Sequence, residues 1–217
     1  MSQALTVPAA GARSGRGTLI GLGLVAAVGL VFVFDAALPY FSVTEAQFRW
    51  YWPRRYWLLL HVVTGIVALL SGPVQLWLGL ARRHLGLHRA LGTVYVASVG
   101  ASAMAAYYLA LHTDLGWGFG AGLAGLATAW LVTTGLALVA IRLRLHDQHK
   151  EWMVRSYVAT TAFITFRALF AVLNAAAVGT LNERLTVCSW FCWAIPLLAC
   201  EAVLQGRKLT WRVREAG

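Results

Sequence analysis

The sequence predicts an all-α, polytopic membrane protein with six transmembrane helices in one bundle and both termini in the cytoplasm. Three observations carry this reading. First, 59% of the 217 residues are hydrophobic, only 12% are charged and the mean hydropathy is +0.67, too apolar for a soluble domain of this length. Second, the apolar residues fall into six segments of roughly 20 residues, the length that crosses a bilayer. Third, the basic residues behind the net charge of +10 sit in short connections between those segments, where they set orientation rather than mark a nucleic-acid face. Six spans leave no room for a second domain, so residues 1–17 are read as a cytoplasmic tail, 18–205 as the transmembrane domain and 206–217 as a basic cytoplasmic tail.

Span one, residues 18–41, follows Arg13 and Arg16 like a signal peptide, but it exceeds a signal core and has no small-residue cleavage site before Asp35. The connection after it holds Trp50, Tyr51 and Trp52 beside Arg54 and Arg55, an interfacial composition. Span two, 56–80, carries His61, Gly65, Ala68, Gly72, Gln75 and Gly79 on one face, small residues that admit a close neighbour and two polar groups that can bond across the contact. Pro73 is expected to bend this span or free a carbonyl within it. Span three follows a basic connection and aligns Gly92, Tyr95, Val99 and Ser102 with His88, ending near His112 and Asp114. Span four, 117–141, opens with Gly118, Gly120, Gly122 and Gly125, again a close-packing pattern.

Span five, 149–174, is the polar centre of the chain. Steps of four and three residues give His149, Met153, Ser156, Thr160, Phe163, Arg167, Phe170 and Asn174 on one face. An arginine in such a segment is costly in lipid, so the face should meet protein or a wet cavity. Span six, 185–204, brings Trp190, Trp193, Pro196 and Glu201; its Cys188 and Cys192 read as small core residues, with a redox or metal pair as the alternative.

The polar residues form two layers. At the inner, cytoplasmic level, His88 and His149 each open a span and suit the two axial ligands of a b-type haem between facing helices, with Arg82, Arg83, Arg89 and Arg155 near its propionates and Glu201 or a backbone carbonyl behind an imidazole. The alternative at this level is a four-histidine metal site of His84, His88, His146 and His149. At the outer level, Arg167, about 27 Å along its helix from His149, should face His61 and receive an anion, a quinone oxygen or a second propionate. The alternative is an internal ion pair of Arg167 with Glu45, Asp114 or Glu183.

The run Leu60-His61-Val62-Val63-Thr64-Gly65, the segment Ser71-Gly72-Pro73-Val74-Gln75, Leu87-His88-Arg89-Ala90-Leu91-Gly92 with Tyr95, and His149 with Trp152-Met153-Val154-Arg155-Ser156-Tyr157 and Arg167 resemble the bacterial membrane family called domain of unknown function 2306. Trp190, Cys192, Trp193 and Glu201 also match it, whereas Pro196 departs from it and His84, His112 and His146 lie off its pattern. A more distant resemblance is to six-helix dihaem cytochromes b, in which His61, His88 and His149 would occupy ligand positions; span four has no histidine for a second haem. That likeness implies haem b and transmembrane electron transfer with a redox partner or quinone, and the resemblance to the bacterial family implies the bacterial cytoplasmic membrane. Any enzyme activity would be that of an oxidoreductase component. A small-solute transporter along the polar interior, and a metal-binding assembly factor, are the alternatives.

Overall fold

The computed structural model describes the backbone of residues 16–81 and 84–216, and side chains as far as Thr210 apart from Arg16 and Thr18. Most of the N-terminal tail, Arg82 and Arg83, and the side chains of Arg212 and Arg214 therefore lie outside the described residues. Everything regular among the described residues is helical. Helix α1 (Arg16–Phe32) runs into a π turn (Val33–Ala37) and a 3-10 turn (Leu38–Ser42). A short α2 (Glu45–Phe48) and a 3-10 turn (Arg49–Arg54) lead to α3 (Arg55–Ala81), α4 (Leu85–Leu111) and α5 (Trp117–Arg142). Helices α6 (His146–Thr160), α7 (Ala162–Ala175) and α8 (Leu181–Ala216) complete the chain. Five segments are long and apolar enough to cross a membrane, and α6 with α7 makes a sixth if the pair is one span.

That pair corrects the expectation of one continuous fifth helix, because the axis bends by 43° at Thr161. The cause is local. Thr160 Oγ1 donates to Ser156 O at 2.9 Å, Thr161 Oγ1 donates to Val158 O at 2.9 Å, and the Thr161 amide is shared between Tyr157 O and Val158 O. Hydroxyls that bond back onto the preceding turn compete with the helical ladder and bend it. The sixth span differs in length, since α8 carries on to Ala216 through the basic segment.

Helices α3, α4, α5 and α6 form the inner bundle, each touching the next and α6 closing on α3. Helix α8 packs on α5, α6 and α7, and α1 packs on α3. Missing Cβ atoms set these distances. The Tyr157 ring lies where a Gly72 Cβ would sit, Ser189 does the same at Gly122, and Trp193 would come within 3.0 Å of a Gly125 Cβ. Pro73 cannot donate to Leu69 O four residues earlier. The Tyr157 hydroxyl takes that place, donating to Leu69 O at 3.0 Å in a buried setting. Cys188 and Cys192 are buried free thiols, Cys192 among the core residues.

The middle of the bundle is closed by a buried hydroxyl layer. Tyr95 Oη meets Ser156 Oγ and Thr160 Oγ1 at 2.8 Å each, Thr134 Oγ1 meets Ser156 Oγ at 2.7 Å, and Trp130 Nε1 donates to Thr160 Oγ1 at 2.9 Å. Each polar atom is matched, which is the condition for tolerating polar groups at this depth.

Candidate functional site

At the basic end, α4 places His88 opposite Gly79 of α3, close enough that its ring would meet a Cβ there at 3.0 Å. Its Nδ1 donates to Gln75 O at 3.2 Å, and His149, in the first turn of α6, donates from Nδ1 to Ala137 O at 2.9 Å. A carbonyl only accepts, so Nδ1 carries the hydrogen in both rings, and the neutral form of each keeps its lone pair on Nε2. His149 and Arg89 both lie within electrostatic range of His88. Backbone carbonyls, and not Glu201, therefore stand behind the two imidazoles.

Gln75 is buried beside this pair. Its amide nitrogen would come within 2.7 Å of a Gly92 Cβ, and its Oε1 lacks a hydrogen-bond partner. Arg155 and Glu201 are brought together, with Arg155 Nε donating to Glu201 Oε2 at 2.8 Å and the guanidinium stacked on Trp152. Lys208 reaches Glu151 at 2.7 Å, so these four charges of α6 and α8 compensate one another along a cleft of about 570 Å³. Tyr95 belongs to the central hydroxyl layer rather than to the histidine pair.

His84 is exposed with φ at 49°, His146 is exposed where α6 begins, and His112 donates from Nδ1 to Tyr108 O. Among the described residues no group of three or more His, Cys, Asp or Glu side chains gathers to hold a metal ion. This corrects the four-histidine alternative: exposed His84 and His146 are not drawn in beside His88 and His149.

At the opposite end lies a cavity of about 780 Å³. Both His61 and Arg167 line it, as does Thr160 from the hydroxyl layer. Ser102 Oγ donates to His61 O at 3.1 Å, and His61 Nδ1 donates to Ser102 at 3.0 Å from its carbonyl and 2.9 Å from its hydroxyl, again leaving Nε2 open. The His61 ring stands edge-on to Phe163 at 5.9 Å. Arg167 has its guanidinium carbon 5.7 Å from the centre of the Phe32 ring. None of Glu45, Asp114 and Glu183 pairs with it: Asp114 pairs with Arg54 at 2.9 Å, and Glu183 accepts from the amide and hydroxyl of Thr180. Asn174, last on the polar stripe, accepts from Arg184.

The sequence patterns missed the roof of this cavity. Residues 46–51, from α2 and the turn after it, close over it, with Phe48 buried between Tyr40 and Trp52. Their aromatic content reads equally well as an interfacial belt. Ser102 and Tyr157 were visible as neighbours of polar residues, but their partner carbonyls carry no sequence signature.

A model of the family described as predicted membrane protein, domain of unknown function 2306, matches residues 58–204, more than half of the chain. The chain belongs to that family. The matched segment holds His61, Gln75, His88, Tyr95, His149, Arg155, Arg167 and Glu201, hence both polar layers, while α1 and the cavity roof precede it. No curated protein and no solved structure matches the chain.

Proposed function

We propose that this member of the domain of unknown function 2306 family is a redox protein of the bacterial cytoplasmic membrane, holding one b-type haem between His88 and His149 and passing electrons to a redox partner or quinone. The observation that carries this reading is the common state of the two imidazoles. Each sits on a different helix of the inner bundle at the basic end, has Nδ1 fixed by a backbone carbonyl and presents Nε2. That donor set suits a six-coordinate haem iron, whose imidazole ligands bind through one nitrogen while a second partner fixes the other.

In this reading His88 and His149 would hold the iron, the carbonyls of Gln75 and Ala137 fix the two rings, and Gly79 leaves room for the His88 ring. Arg89 supplies charge for a propionate, because Arg155 is already neutralised by Glu201. A bound haem supplies a one-electron carrier there. The transporter reading needs a path from Arg167 to Glu201, and the buried Tyr95, Ser156 and Thr134 layer stands across it.

Protein produced with ample haem should give a reducible b-type spectrum. His88→Ala and His149→Ala should each abolish it, while His84→Ala and His146→Ala should keep it. A colourless parent would overturn the haem reading, and solute uptake by vesicles containing that parent would establish the transporter in its place.

A further inference from the structure

The cavity at the end opposite the histidine pair has a charge composition that names its occupant. Its walls are mostly aliphatic and aromatic, with Phe163, Phe166 and Phe170 stacked along α7 at 5.6 and 6.5 Å between ring centres. The lining residues include two arginines, Arg49 in the roof and Arg167 in the wall, and no carboxylate. Both side chains are exposed and so open to an anionic group, and an arginine within a membrane span, as Arg167 is, is costly unless an anion or water meets it. Arg167 makes no ion pair among the described residues, and its guanidinium lies over the face of Phe32. His61 leaves Nε2 free of its Ser102 contacts, and in that tautomer this nitrogen accepts, so it suits a hydroxyl or an acid proton of the occupant while the anionic oxygens go to Arg167. The volume, about 780 Å³, falls in the range of small-molecule sites.

We propose that this cavity binds an anionic amphiphile, a molecule with a carboxylate or phosphate head and an apolar body, whose head is held by Arg167 with His61 beside it. A guanidinium matches either head with paired charge-assisted hydrogen bonds, and the phenylalanine wall takes the body. This inference stands apart from the haem reading, because it rests on residues at the other end of the bundle.

The test is equilibrium binding to the full chain in phosphatidylcholine nanodiscs, with radiolabelled palmitate, methyl palmitate and lysophosphatidate as probes. One or both acids should bind saturably, and the ester at least about tenfold more weakly. Which acid binds distinguishes a fatty-acid source from a phospholipid one. Arg167→Leu should weaken the bound acid by roughly 10- to 100-fold, the loss expected for a charge-assisted hydrogen bond. Arg167→Lys should recover part of it. Unchanged elution and tryptophan emission control for folding, and His88→Ala should bind like the parent, which separates this site from the haem. Equal binding of acid and ester, absence of saturable acid binding, or no effect of Arg167→Leu in folded protein would each overturn the proposal. So would a haem signal that survives His88→Ala and is lost in His61→Ala, since iron ligation would then define the cavity.

Discussion

At the scale of single residues, the bundle is organised by backbone carbonyls that have acquired side-chain donors. Leu69 O is the clearest case: Pro73 deprives it of a helical partner and the Tyr157 hydroxyl supplies one. Tyr157→Phe should therefore destabilise the protein by about 1 kcal/mol, within the range for a buried hydrogen bond in a membrane protein. Pro73→Ala restores an amide donor to Leu69 O, so in that background Tyr157→Phe should cost much less. A double-mutant cycle followed by denaturant unfolding in detergent measures the coupling, and strict additivity would show that the hydroxyl and the proline act separately. Half of this pair was legible in the sequence. Pro73 announces an orphan carbonyl, but any hydroxyl at the right depth could answer it, and Tyr157 lies off the polar stripe that drew attention to its helix. The same limit applies to His88 and His149, whose type and level were readable while their acceptors, Gln75 O and Ala137 O, were not.

At the scale of helices, the small-residue faces were fully legible, and the structure shows which neighbour each admits. Gly122 and Gly125 receive Ser189 and Trp193 of α8, Gly120 lies against Ala110 O of α4, and Gly72 receives Tyr157 of α6. Backbone neighbours cannot yield as a side-chain tip can. A Cβ at Gly122 would stand 2.9 Å from Ser189 C, so Gly122→Ala must push α5 and α8 apart and should cost roughly 1–3 kcal/mol as overpacking. Gly135 of the same helix has nothing within 4 Å, and Gly135→Ala should be neutral or slightly stabilising through helix propensity. Thermal unfolding of the two variants makes the comparison, and equal loss would mean that helix flexibility, not close approach, explains the glycines. The bend at Thr161 was invisible by contrast. A stripe at four-and-three spacing keeps its phase across a 43° break, because periodicity reports which face a residue occupies and not the direction of the axis.

At the scale of the whole molecule, the charges differ between the two ends in arrangement as well as number. At the end with the cavity, Arg54 is tied to Asp114, Arg55 stacks on Trp52 and Tyr56, and Arg184 donates to Asn174 and to the carbonyls of Val178 and Gly179. At the other end, Arg89, Arg142 and Arg144 are exposed at the mouths of helices, with Arg207 on the extension of α8. The larger number of Lys and Arg at this second end holds it on the cytoplasmic side, so the histidine pair should lie inward and the cavity outward. The broken pair α6 and α7 is where this topology is most exposed to test, because a 43° bend suits either a kinked span or a loop that enters and returns. If the pair crosses, reporters fused at Ala46, Gly86, Leu115, Gln148 and Asn182 should read out, in, out, in, out. If it returns, Gln148 and Asn182 would report the same side, Arg167 would no longer share a level with His61, and a cavity lined by both could not form. The shared lining of that cavity therefore favours a full crossing, and a matching signal from those two fusions would refute it.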